Sequence, residues 1–290
     1  MIVRLSDMQR TAGEHGFAVP HFLGGNLEMT YGAILAAEEL NSPIAFGVAP
    51  EVFACVPMEV LFPMILNIAQ RANVPVAVQL EHGKSFEQAA TALKLGVNSV
   101  MFDGSDLSYE ENVAKTQEIS KMAHAFGACV EAELGHVGGS ALREANIEDK
   151  GQNTDPDLLK DFIEKTKVDT LAVSFGNVHG RYRSGVPVID LDLARRLVTA
   201  SSVPLVMHGG SGLSDDVYRG VVKAGITNIH FYSCLAMHAW DYINNRIGKN
   251  DPYPAYHEVV SYGIDFYRER TKKLIKLLLS EGHASDFKFS

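Results

Sequence analysis

Apolar and polar positions fall into a two-part pattern that recurs along the chain. A short run of β-branched and aliphatic residues ends on Gly, His, Asp or Glu, and a stretch with helical spacing follows. PIAFGVAP (43–50) leads into Met58–Arg71, VPVAVQLEHG (74–83) into Phe86–Leu95, and VNSVMFDGS (97–105) into Tyr109–Phe126. GACVEAELG (127–135) is followed by a polar loop and then Asp157–Lys165. VDTLAVSFGNVHG (168–180) precedes a helix near Asp192–Ala200, VPLVMHGGSG (203–212) precedes Ser214–Ala224, and ITNIHFYS (226–233) precedes a helix from about Cys234. An opening strand near Phe17–Phe22, followed by Leu27–Leu40, brings the units to eight.

Strands that read as continuous apolar runs are buried on both faces, as in parallel sheets. Eight strand–helix units therefore predict an α/β fold, a closed (β/α)8 TIM barrel. An open doubly wound sheet fits less well, because no strand is followed by GxGxxG. The expected division is a barrel over 1–248 that carries the site and a C-terminal helical extension over 249–290. The extension opens on the turn-rich NDPYP (250–254) and continues as a basic helix, which suggests packing on the barrel or on a neighbouring subunit.

Composition narrows the function. The 290 residues are 46% hydrophobic and 21% charged, ordinary for a globular protein, with a net charge of −9. That balance argues against a nucleic-acid binder, which needs a basic footprint, and against a membrane-surface protein. No apolar run reaches the ~18 residues of a membrane span. Arg4, Asp7 and Arg10 interrupt the place of a signal-peptide core. Cys55, Cys129 and Cys234 are odd in number and far apart, which reads as reduced thiols. A cytoplasmic protein is expected, and a homodimer or homotetramer is the default assembly.

In such a barrel, chemistry collects where strands end. Five of the eleven histidines fall there: His21, His82, His179, His208 and His230. Asp103 and Glu133 end two further strands. A single buried histidine is more often a hydrogen-bonded structural residue than a ligand. Several converging on one mouth fit a catalytic zinc site, which takes three protein ligands and keeps an open position. Glu81, Asp103 and Glu133 follow apolar strands, where an unpaired charge is costly, so a metal-bound histidine would account for them. HGGSG (208–212) sits between a strand and a helix. It reads equally as a phosphate cradle or as a tight turn that needs glycine. Arg181 and Arg183 after His179 could hold a second anionic group or face solvent, and Arg268 and Arg270 on the terminal helix could reach a neighbouring subunit.

Four segments taken in order resemble the class II, zinc-dependent ketose-bisphosphate aldolases, which act on fructose or tagatose bisphosphate. They are LEHGKSFEQAATALKLGVNSVMFDGS (80–105), VEAELGHVGG (130–139), VSFGNVHG (173–180) and PLVMHGGSG (204–212). The resemblance runs from about residue 15 to 245. It implies His82, His179 and His208 as Zn2+ ligands, with Asp103 and Glu133 supporting or alternately binding the metal. It implies Gly180, Gly209, Gly210 and Ser211 as the phosphate and monovalent-cation loop region, and Ser233 where the family has a phosphate-binding Thr. Asn26 matches an early Asn of the family. The implied reaction is reversible cleavage of a phosphorylated ketose into dihydroxyacetone phosphate and an aldehyde, through a zinc-stabilised enediolate.

The departures cluster at the reacting carbons. The family has Asp-His where this chain has Glu81-His82, Asn where it has His230, and Asn or Asp where it has Tyr232. Gly138-Gly139 lead into Ser140-Ala141-Leu142 rather than a loop glutamate, although Glu144 is near. Glu reaches one methylene further than Asp, and a misplacement of about 1 Å can cost roughly 10²-fold in rate. The expectation is a class II aldolase-like lyase with a non-standard phosphorylated ketose and with Glu81 and His230 as proton-handling residues. Two alternatives remain: a sugar-phosphate isomerase or epimerase, and a non-catalytic sugar-phosphate-binding subunit or sensor.

Overall fold

The computed structural model describes residues 1–145, 151–182, 186–250 and 253–287. Arg183 lies outside these residues, as do the side chains of Glu144 and Arg181.

The chain begins with a helix that the strand–helix pattern did not predict, α1 (Leu5–His15). Its apolar face (Leu5, Met8 and Ala12) packs on Phe17, Val19, Ala45, Ala77 and Cys129. Four of these stand at or near the starts of barrel strands, so α1 plugs the N-terminal mouth and leaves the opposite mouth open. The units then alternate: β1 (Val19–Leu23), α2 (Leu27–Glu39), β2 (Ile44–Val48), α3 (Met58–Arg71), β3 (Val76–Gly83), α4 (Phe86–Lys94), β4 (Ser99–Phe102), α5 (Tyr109–Ala125) and β5 (Cys129–Leu134). A strand off the barrel follows, β6 (Gly138–Ala145), then α6 (Pro156–Thr166), β7 (Thr170–Val173), β8 (Val178–Tyr182), α7 (Leu191–Ala200), β9 (Leu205–Met207), α8 (Asp215–Ala224), β10 (Asn228–Phe231), α9 (Ser233–Asn250) and α10 (Tyr256–Leu277).

Eight strands close the barrel in the order β1-β10-β9-β7-β5-β4-β3-β2, every neighbouring pair parallel. This is the expected (β/α)8 barrel. Two expectations change in detail. The run 168–180 is two strands rather than one, and the polar loop after 135 contains a strand. The late piece β8 leaves the barrel and pairs in parallel with β6 to form a small sheet over its rim. Glycines make both turns: Gly135, between β5 and β6, and Gly176, between β7 and β8, have φ of 84° and 98°, a left-handed backbone that glycine adopts without steric cost.

Strand alternation divides the core. On β3, Val76, Val78 and Leu80 point outward into the main apolar cluster beneath the helices, whereas Ala77 joins the inner face. Helix starts are fixed by side-chain caps: Asn26, Ser85, Asp155, Asp190 and Ser214 each accept a bond from an early backbone N–H. Ser108 and Glu111 form a full capping box on α5. Helix α10 lies along α2, where Gly32 removes the side chain that would otherwise strike Ile264 O. Glu39 on α2 pairs with Arg268 and Lys272 of α10. Among the described residues, no helix is long and apolar enough to cross a membrane.

Candidate active site

The open mouth forms a cleft lined by Glu81, His82, Asp103, Glu133, His179 and His230, together with Gly180, Gly209, Ser211 and Ser233. Most of the predicted site residues are therefore neighbours in space. His208 stands just behind this lining, fully buried, 4.7 Å ring to ring from His82 and 5.7 Å from His179. Its C=O and the loop after it form the floor on that side, with the C=O accepting from Asn177 Nδ2 at 2.9 Å.

Consecutive residues on a strand point to opposite faces, yet Glu81 and His82 both reach the cleft. The reason is a break in the ladder: the register between β3 and β4 shifts between Leu80 and Gly83, and His82 has φ of 48°. A non-glycine residue in the left-handed region is uncommon and strained, and here that backbone turns the imidazole inward. His179 arrives from the rim sheet rather than from a barrel strand, carried by β8.

Each of the three histidines commits one ring nitrogen to the protein. His82 Nδ1 donates to Asp103 Oδ2 at 2.9 Å, His179 Nδ1 to the Val137 C=O at 3.3 Å, and His208 Nε2 to Glu131 Oε1 at 3.1 Å. The other nitrogen of each ring is left for a shared partner, and the three rings offer ligand atoms within 4.8 Å of one another. His208 Nδ1 and Glu133 Oε2, both buried, have no hydrogen-bond partner. Buried polar atoms are seldom left so, and a cation with nitrogen and oxygen ligands satisfies both. The donor set therefore fits a metal of zinc type, with the acceptors fixing each tautomer in the manner of outer-shell partners.

Electrostatics follow the same arrangement. Burial alone would depress the His82 imidazolium, but the bond and charge of Asp103, with Glu81 and Glu133 behind it, lift its pKa to about 9. Burial, with His82 and His208 beside it, takes His179 down to about 3. Glu133 is raised by burial and by the charge of Asp103. Asp103 is held far below the usual carboxylate range: His82 and the Lys84 Nζ, 2.7 Å from the same oxygen, outweigh its burial.

Glu81 Oε1 accepts from His230 Nδ1 at 2.7 Å, and it also lies 4.0 Å from His82 Nε2. Two of the family departures, Glu81 and His230, are thus a hydrogen-bonded pair against the histidine cluster. Burial, then the neighbouring histidines, hold His230 neutral.

On the other wall, Gly209 has φ of 64°, and a Cβ there would stand 2.5 Å from Val178 O. Gly180 also has a left-handed backbone, with φ of 102°. Ser211 Oγ accepts from the Tyr232 N–H at 3.1 Å, and α9 starts at Ser233. Gly210 sits one layer behind, its C=O taken by Tyr218 Oη at 2.6 Å. Asn26 is not brought to this cleft. Its Oδ1 caps α2 by accepting from Met29 N at 2.9 Å, and it borders a separate groove between α2, α9 and α10. The early Asn of the family pattern is therefore accounted for here by a helix cap.

Three residues with evident roles were not singled out by the sequence. Glu131, Lys84 and His136 all look ordinary there: an acid among apolar neighbours, a lysine at a helix start and a loop histidine. Glu131 is buried on β5 and holds His208. Alternation gave a usable signal, since Glu131 shares the inner face with Glu133. His136 Nδ1 lies 3.1 Å from Ser105 Oγ in the cleft wall.

Comparison with known proteins places the chain in a family. The family model for fructose-bisphosphate aldolase class-II matches residues 3–283. The chain is 35% identical to YdjI of Escherichia coli K12 over 285 residues, which is 98% of this chain and 100% of YdjI. It is 36% identical over 236 residues to a fructose-bisphosphate aldolase of Streptococcus pyogenes serotype M1, covering 79% of this chain and 78% of that one. The crystal structure of the YdjI aldolase superposes with a TM-score of 0.86 at 32% identity, covering 98% and 100% of the two chains. A fructose-bisphosphate aldolase from Campylobacter jejuni shares the fold at 20% identity, with a TM-score of 0.79 over 97% and 96%. The protein belongs to the class II fructose-bisphosphate aldolase family.

Proposed function

We propose that this chain is a metal-dependent aldolase that reversibly cleaves a phosphorylated ketose other than fructose bisphosphate. The observation that carries this reading is the convergence of three imidazoles, each with its second nitrogen already committed to a protein acceptor. His82, His179 and His208 would hold Zn2+, with Asp103 and Glu131 orienting the rings and Glu133 as an alternate ligand. Zinc in such a site supplies a Lewis acid that polarises a substrate carbonyl oxygen.

The chain's own groups handle the proton. Glu81 takes the proton of the hydroxyl carried by the carbon at one end of the breaking bond, and the freed O–H electrons form the new C=O. The C–C electrons stay with the donor fragment, and the hydroxyl carbon leaves as an aldehyde. His230, donating to Glu81 from Nδ1, holds the carboxylate in place and shares that proton. Gly180, Gly209, Ser211 and Ser233 bind the donor phosphate, with a monovalent cation in the same loop region and Gly210 supporting the loop from behind. The working division is a barrel over 1–248 and an extension over 249–290, in a cytoplasmic homodimer or homotetramer.

The same acid–base pair supports a second reading, proton transfer without bond cleavage, as in an isomerase or epimerase. Incubation of ketose phosphates with the zinc-loaded protein in deuterium oxide separates the two. Release of an aldehyde supports the aldolase, and deuterium gain without cleavage supports the second reading.

A further inference from the structure

His21 lies in the middle of β1, fully buried, and the proton handling above makes no use of it. Neither ring nitrogen has a hydrogen-bond partner. The Asn228 side chain lies beside the ring and favours its charged form, but the two do not meet in hydrogen-bond geometry, and the Asn228 Oδ1 and Nδ2 are unpartnered as well. A buried imidazole with both nitrogens unused is uncommon and needs an explanation. The His21 ring sits 3.7 Å from that of His230, centroid to centroid.

The backbone opposite lets the Glu81 carboxylate and the His21 ring approach each other closely, and together they fill the space a side chain would take. Gly47 on β2 has no side chain, and a Cβ there would lie 2.0 Å from Glu81 Oε2 and 2.8 Å from His21 Nε2. Ligand atoms of His21, Glu81 and His230 all fall within 4.8 Å of one another. Two imidazoles and one carboxylate form a recognised donor set for zinc, manganese, cobalt or iron as divalent ions.

We propose that His21, Glu81 and His230 form a second divalent-cation site, adjoining the one assigned to His82, His179 and His208. Glu81 stands between the two sets, 2.7 Å from His230 Nδ1 and 4.0 Å from His82 Nε2, so its carboxylate can serve both. Metals clamped in this way sit roughly 3.5–4 Å apart. The inner cation takes the place of the proton that Glu81 and His230 otherwise share. The site therefore exists in two forms, proton-filled or metal-filled. The inference rests on the metal-site reading for the outer position alone.

Titration of the metal-stripped full chain with Mn2+, followed by equilibrium dialysis with elemental analysis and by electron paramagnetic resonance, tests it. Two equivalents per chain are expected, with a spin-coupled spectrum from ions a few ångströms apart. His21→Asn is expected to bind one equivalent and to lose the coupling, and His179→Ala is expected to keep the inner equivalent. A wild-type chain that saturates at one uncoupled equivalent, retained in His21→Asn, overturns the second site and leaves the outer one standing. One equivalent lost in His21→Asn but retained in His179→Ala overturns the outer site instead and supports the inner one. No binding at all overturns both. If His21→Asn fails to fold, the wild-type count and coupling still decide the matter.

Discussion

Glu81 and His230 are 149 residues apart in the chain and 2.7 Å apart in the cleft, joined Oε1 to Nδ1. The pair links the end of β3 to β10 across the barrel mouth, beside the histidine cluster. Removing the carboxylate charge should therefore affect proton transfer rather than binding. Glu81→Gln is expected to lower kcat by about 10²–10⁴-fold, the usual worth of a positioned acid or base, with KM nearly unchanged. Steady-state kinetics on the cleavage reaction checks this. An unchanged kcat removes Glu81 from the proton path.

Asp103 holds His82 from behind, and Lys84 holds Asp103. Asp103→Asn keeps the shape and removes the charge. Metal affinity should fall by roughly 10–100-fold, as for other outer-shell partners of metal-bound histidine. Competition against a chelator of known affinity measures it directly. An affinity within twofold of wild type contradicts the role.

Metal uptake should release a proton. With His82 lifted to about 9, its ring carries a proton at neutral pH, and the ring must lose one to ligate. His179, at about 3, is already neutral there and releases none. Apparent affinity should then rise about tenfold per pH unit from pH 6 to 8 and level off near 9. Calorimetry in buffers of different ionisation enthalpy should find about one proton released per outer-site ion at pH 7. No buffer dependence contradicts this account.

Gly32 tests the docking of α10 on α2. In a free helix, Gly→Ala gains up to about 1 kcal/mol. Here the new Cβ would stand 2.4 Å from Ile264 O and 3.1 Å from Tyr267 Cβ, and the first of these is backbone that cannot rotate away. Gly32→Ala is expected to destabilise by about 1–3 kcal/mol in thermal or denaturant unfolding. A stabilised protein means that α10 does not pack there.

Much of this was legible in the sequence because apolar runs and helical spacing are local signals. The eight strands emerge from them, and so do the positions of His82, Asp103, Glu133 and His208 at or near strand ends. What the pattern hides is non-local. The run 168–180 reads as one strand, but Gly176 turns the chain, so His179 rides on a rim sheet with β6. The bulge that turns His82 inward leaves no mark in composition. Helix α1 escapes because its own sequence is mostly polar, and its apolar face acquires meaning only against the barrel floor. Asn26 shows the reverse error: a residue matched by motif is a helix cap in space.

The most direct test of the central claim is metal removal with reconstitution. The chain is dialysed exhaustively against chelator until elemental analysis finds no transition metal, then assayed for cleavage of phosphorylated ketoses and for condensation of dihydroxyacetone phosphate with an aldehyde panel. The account predicts loss of both reactions and their return on adding Zn2+ to the wild-type chain, with no return in His208→Ala. Undiminished cleavage by the metal-free chain would contradict it.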